Sequence, residues 1–248
     1  PFLQWAGTVF MLAGGLPFVW YIRLASRGRV ASEQVRVLLT GLGIVIAALT
    51  LWRTASSGVP VFRALTEVAF NVVSVVTTTG FATTDYTLWG APAVVAFFLL
   101  TAFGGCTGST AGGVKMMRWI VLGRYLTARL RTVHAPHAVA RVRYEDRAVT
   151  HDQVCGIIAF FSLFFLSFTL LTVALDLLGL DFETSVSGAL TALCNVGPGV
   201  GPLIGPAGNF ASLSDGAKLV LDFGMYLGRL EMITVFVLVS PSFWREVV

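Results

Sequence analysis

Charge is scarce in this sequence. Asp, Glu, Lys and Arg make up 12% of the residues, about half the ~25% usual in soluble domains, which excludes a water-soluble globular protein. Histidine and cysteine are equally sparse, at three each. Cys106, Cys155 and Cys194 are odd in number and lack metal-ligand spacing, so they form neither a disulfide framework nor a zinc site. No apolar run carries a paired His/Glu metal pattern, and no Ser/His or Cys/His set can be assigned, which argues against an integral-membrane enzyme. The chain enters a hydrophobic run at Phe2 without a basic n-region or a small-residue cleavage site. That abrupt start predicts a segment of a larger protein.

Apolar residues fill the space that charge leaves. They account for 56% of the chain, with mean hydropathy +0.81, and this balance belongs to a multi-pass protein of the plasma membrane. At about 20 residues per crossing, the chain has room for roughly five spans and shorter re-entrant pieces. The formal charge of +4 does not indicate nucleic acid, because the basic residues gather between apolar runs, as topology determinants and lipid headgroup contacts do.

In chain order, Phe2 to Tyr21 is apolar enough to span, and Arg23, Arg27, Arg29 and Arg36 after it place its end in the cytoplasm. Val37 to Trp52 then runs outward. Phe62 to Val76 is too short to cross and reads as a helix that enters the membrane and stops, at Val76-Thr77-Thr78-Thr79-Gly80-Phe81. Ala91 to Phe103 turns inward and breaks at Gly104-Gly105-Cys106-Thr107-Gly108-Ser109-Thr110-Ala111-Gly112-Gly113, and helical pattern resumes over Val114 to Leu130. Seven arginines between Arg118 and Arg147 mark a cytoplasmic connection. Val154 to Leu180 is a long span, Glu183 to Leu193 a second short helix ending at Asn195 to Gly201, and Leu219 to Val239 a last span. The expected organisation is therefore 1–34, the last span of a preceding unit with its connection; 35–130, one pore unit; 131–152, a cytoplasmic connection; and 153–248, a second pore unit.

Irregular backbone at membrane depth is tolerated only inside protein or along a water-filled cavity. Two short helices, each ending in a glycine turn, therefore predict a cation filter in which carbonyls of Thr77, Thr78, Thr79 and Gly80, and of Cys194, Asn195, Val196 and Gly197, replace the hydration shell. The threonine hydroxyls either add ligands or pin the loop. The run from Gly104 to Gly113 is a packing kink or an intramembrane gate; Gly108 to Lys115 is one residue too long for a phosphate loop and has no Ser or Thr after the lysine. Arg229 stands near the middle of the expected last span and is expected to face the interior. Asp222 lies two turns earlier on roughly the same face, so a buried ion pair is the structural reading.

Several of these stretches together carry a family resemblance. Thr78-Thr79-Gly80-Phe81, Asn195-Val196-Gly197-Pro198-Gly199, Gly104 to Gly113 followed by Val114-Lys115, and Gly228-Arg229-Leu230-Glu231 ahead of Ser240-Pro241-Ser242-Phe243-Trp244 resemble the Trk/Ktr/HKT superfamily of potassium transporters, and its bacterial TrkH branch most. The resemblance implies an all-α membrane fold of four span, pore-helix, filter-loop, span units around one pore, of which this chain holds the third and fourth. It implies a potassium ion as cargo, with sodium as the alternative where serine replaces a filter glycine, and no cofactor. It also implies a gate formed by residues 104–113 with Lys115 and Arg229, a homodimer, cytoplasmic nucleotide-binding regulatory subunits, and an N-terminal half bearing two further repeats. The competing function is a proton- or sodium-coupled symporter working by alternating access, with Asp222, Arg229 and Glu231 as coupling groups.

Overall fold

The computed structural model describes residues 1–28, 31–135, 142–230 and 232–247. They are almost wholly helical: α1 (Phe2–Gly15), α2 (Phe18–Arg27), α3 (Glu33–Ser57), α4 (Val61–Val76), α5 (Ala91–Ala102), α6 (Met116–His134), α7 (His151–Leu177), α8 (Phe182–Cys194), α9 (Asp215–Arg229), α10 (Met232–Val239) and α11 (Pro241–Val247). Two of them, α3 and α7, are each long and apolar enough to cross a membrane. A capping box between Thr150 and Gln153 starts α7, and Gly58 in the left-handed conformation ends α3.

The short helices lie deepest in the molecule. Ala64 and every residue from Thr66 to Val76 are buried in α4, and α8 is buried from Ser187 to Cys194. Both are enclosed by neighbouring helices: α4 packs against α1 and α3, and α8 against α7 and α9. The order α3, α4, turn, α5 is thus repeated as α7, α8, turn, α9.

Two expected spans are broken. Phe2 to Tyr21 is not one helix, because α1 and α2 meet at Leu16-Pro17 with a bend of 94°; Pro17 has no N–H to continue the helix and becomes the N-cap of α2. Leu219 to Val239 is not one helix: α9 starts at Asp215 and ends at Arg229, and α10 follows from Met232, so Arg229 stands at a helix end. The connection expected over 131–152 is shorter than its bounds, since α6 runs to His134 and α7 begins at His151. Within it, Arg143–Tyr144 (β1) pairs antiparallel with Arg147–Ala148 (β2), and Glu145 and Asp146 at positive φ form the two-residue turn.

Candidate functional site

The two glycine turns have the same backbone. Thr78 and Asn195 both sit at φ 54°, and two residues later Gly80 and Gly197 are at +80° and +116°. Thr78 N–H donates to Val75 O (3.0 Å) as Asn195 N–H does to Ala192 O (3.1 Å); Thr79 N–H donates to Ser74 O (2.9 Å) as Val196 N–H does to Thr191 O (3.1 Å). Among the described residues, the carbonyls of residues 77–80 and 194–197 accept no hydrogen bond. Thr79 and Gly197 are exposed although the helices that present them are buried.

The turns also touch. A Cβ on Gly80 would overlap the Val196 carbonyl oxygen and lie 3.3 Å from Pro198 Cδ, whereas one on Gly197 would meet only Gly80 Cα, at 3.9 Å. The threonine hydroxyls pin the first turn: Thr77 Oγ1 donates to Val73 O (2.7 Å) and lies 2.9 Å from Thr79 Oγ1, and Thr78 Oγ1 accepts from the Gly112 amide at 2.6 Å.

That last bond joins the first turn to the glycine-rich loop. Gly112 faces the second turn as well, where a Cβ would stand 2.5 Å from the Cys194 carbonyl oxygen. The loop is closed on itself by Gly104 N–H to Val114 O (2.9 Å) and Met116 N–H to Gly105 O (3.1 Å), and by Ser109 to Cys106 O. It is held from outside by the elbow between α1 and α2. Cys106 N–H donates to Gly15 O (2.9 Å), Thr110 donates to Gly14 O through its amide and its hydroxyl, and Phe18 N–H donates to Gly108 O (3.0 Å). Gln34 Oε1 accepts from Thr107 N–H at 2.9 Å. Lys115 Nζ reaches back to Ala111 O.

Arg229 meets this loop across a cavity of about 230 Å³ whose wall includes Ser109, Thr110, Gly112, Gly113, Lys115 and Arg229. The buried ion pair expected with Asp222 does not form; both residues are exposed, and Asp222 lines a different cavity, of about 310 Å³, with Lys218 and Gly197. A symport site uniting Asp222, Arg229 and Glu231 is therefore divided at its first two members, and Glu231 lies outside the described residues.

Several contacts lie beyond what the sequence reading assigned. Glu67, 8% exposed, pairs with Arg53 and with Arg63 (2.9 Å), and Arg53 lies 4.0 Å over the Trp89 ring. Asn71 is wholly buried; it donates to Glu67 O (2.8 Å) and Thr83 Oγ1 (3.1 Å) and accepts from Thr83 N–H (3.2 Å), fixing the chain that leaves the first turn. Gly228 lets α9 lie on the Leu193 carbonyl, where any Cβ would overlap. Asp181 caps α8 through the Thr184 amide (3.1 Å), and the Thr184 side chain and amide hold its carboxyl below the usual range.

Comparison with known proteins points one way. The chain matches the family model described as TrkH, cation transport protein, over residues 1–246. It is 53% identical to the Trk system potassium uptake protein TrkI of Halomonas elongata, over 99% of this chain and 50% of that one. Against the Trk system potassium uptake protein TrkH of Escherichia coli K12 it is 34% identical over 82% of this chain and 41% of that one. The crystal structure of the potassium transporter TrkH from Vibrio parahaemolyticus superposes with a TM-score of 0.88 at 29% identity, over 96% of this chain and 52% of that chain. The chain spans about half the length of the curated relatives it matches. Sequence and fold together place it in the TrkH family of cation transport proteins, which are integral, multi-pass transporters of the bacterial inner membrane and not enzymes.

Proposed function

We propose that this chain supplies half of a potassium-conducting path, with carbonyls of residues 77–80 and 194–197 as cation ligands and the loop Gly104–Gly113, with Lys115 and Arg229, as the gate. The observation that carries this reading is the set of carbonyls without a donor, among the described residues, in two turns that share their first two backbone hydrogen bonds and their positive-φ positions. At membrane depth a carbonyl needs a partner, and a row of them suits a partly dehydrated cation. Both turns close the C-terminal ends of buried helices, where the helix dipole favours positive charge. Potassium as the cargo rests on the names of the relatives, with sodium as the alternative. The other half of the filter belongs to the remaining length of the relatives. A second copy of the protein and cytoplasmic nucleotide-binding subunits are the partners that the family resemblance implies.

Reversal potentials of the full-length protein in a bilayer test the filter. Gly197→Ser is the better variant, because Gly80→Ser meets the Val196 carbonyl and is expected to lose folded protein first. Gly197→Ser is expected to lower the preference for potassium over sodium; an unchanged ratio in well-folded protein removes the second turn from the filter. Arg229→Ala, or a shortened 104–113 loop, is expected to raise flux at constant selectivity. Flux equal to wild type in both takes the gate away from that loop.

A further inference from the structure

The cytoplasmic face carries a cavity that the ion path does not use. It has a volume of about 1380 Å³, lies among α2, the start of α3, α6 and the hairpin, and has Arg23, Arg36, Arg124, Arg131, Arg143 and Arg147 on its wall. Three carboxylates share the wall, Glu33, Glu145 and Asp146. Two of these are occupied within the protein: Glu33 pairs with Arg124 and accepts from the Glu145 amide (3.3 Å), and Glu145 accepts from the Ser32 hydroxyl (3.0 Å). Of the six arginines, only Arg124 has a side-chain hydrogen bond or ion pair among the described residues. Topology arginines need only flank a span; these converge on one concavity from four elements.

The chemistry of the wall selects a ligand class. Guanidinium groups are planar forks that match phosphate oxygens, and basic pockets between spans on the cytoplasmic side suit anionic headgroups. Trp119 and Ile120 add apolar surface to the same wall, which a free anion does not need. Helix α2 is amphipathic and bent 94° from α1, the disposition of a helix lying in the membrane interface, so the cavity opens at headgroup level. We propose that this cavity is a binding site for the phosphate-bearing headgroup of an anionic phospholipid.

The cavity is also coupled to the glycine-rich loop. Arg23 is on α2, whose Phe18 amide holds Gly108 O, and Arg131 is on α6, whose Met116 amide holds Gly105 O. A headgroup bridging α2 and α6 fixes the spacing of the two helices that grip the loop from either side. This second step rests on the gate reading above; the binding step does not.

The test uses the full-length protein in nanodiscs of phosphatidylcholine with or without phosphatidylglycerol, with retained lipid counted by native mass spectrometry and cation flux measured in liposomes of the same compositions. Arg36→Gln with Arg131→Gln is expected to weaken phosphatidylglycerol retention about tenfold, in a salt-sensitive way, while the Arg→Lys pair, which keeps the charge and loses the fork, falls between wild type and the Gln pair. The stimulation of flux by phosphatidylglycerol is expected to fall with it. Equal retention by wild type and the Gln pair overturns the site. Inorganic phosphate or ATP binding in phosphatidylcholine alone, lost in the Gln pair, with no retention of phosphatidylglycerol, overturns the lipid as the source of the phosphate. Lost retention with unchanged flux supports the site and overturns its link to the loop.

Discussion

Around the first turn, Glu67 of α4 is buried between Arg53 and Arg63, Arg53 stacks on Trp89, and Asn71 ties the helix to Thr83. The corresponding positions beneath the second turn are Thr184 and Gly188, where no ion pair forms among the described residues. The supports there are close packing, Gly188 against Ile204, Gly224 against Leu171 and Gly228 on the Leu193 carbonyl, with single hydrogen bonds from Ser187 to Val200 O and from Asn195 Nδ2 to Met225 O. One turn is braced by a charged clamp at the N-terminal half of its helix, the other mainly by close backbone packing along its length. The same positive-φ backbone thus tolerates two unrelated means of support. What the turns share is confined to the residues that present carbonyls.

The clamp gives the largest contrast. Glu67→Ala leaves Arg53 without its partner and is expected to cost about 3–5 kcal/mol, whereas Thr184→Ala gives up only the hydroxyl's interaction with the exposed Asp181 carboxyl and is expected to stay under about 1 kcal/mol. Thermal unfolding of the full-length protein in detergent measures both, and similar midpoints would erase the distinction. A smaller contrast lies at the turns themselves. The Thr191 hydroxyl accepts from Gly197 N–H at 3.0 Å, while the matching Ser74 hydroxyl is buried and unpartnered. Thr191→Val should cost about 1–3 kcal/mol and Ser74→Ala close to nothing; the reverse order would mean that the second turn is not held by this bond.

The smallest effect is in pH. Asp181 has its carboxyl depressed by Thr184, and α4 starts at Pro60 with no side-chain cap. Because the folded form binds its proton less readily than the unfolded chain, the contribution of Asp181 is present above the unfolded value of about 3.9 and is lost as pH falls through the lower folded value. The group is exposed, so the loss should be under about 1 kcal/mol. Asp181→Asn should flatten the acid limb of a stability profile, and a limb that persists in that variant assigns it elsewhere.

The short helices and both glycine turns could be read from the sequence, since helical runs too short to cross, ending in glycine, have few other uses in an apolar chain. The break at Leu16-Pro17 was signalled by Gly14, Gly15 and Pro17, but the hydrophobicity of Phe2 to Tyr21 outweighed them. The stop at Leu230 had no comparable mark. That Glu67 takes Arg53 from α3 as well as Arg63 from its own helix depends on how two helices pack. The partners of the glycine-rich loop were equally out of reach, because backbone amides and carbonyls carry no sequence signal.

Thr110 reaches its acceptor on Gly14 across 96 residues of chain. At about 5–20 residues per second of synthesis, the carbonyls of Gly14 and Gly15 wait roughly 5–20 s for the amides that will occupy them. A carbonyl cannot wait unpaired in hydrocarbon without a cost of several kcal/mol. Until residues 106–110 arrive, these carbonyls need water or another donor, so the bent form of the elbow is completed late. The loop proposed above as the gate is also the piece that supplies donors to the elbow after α1.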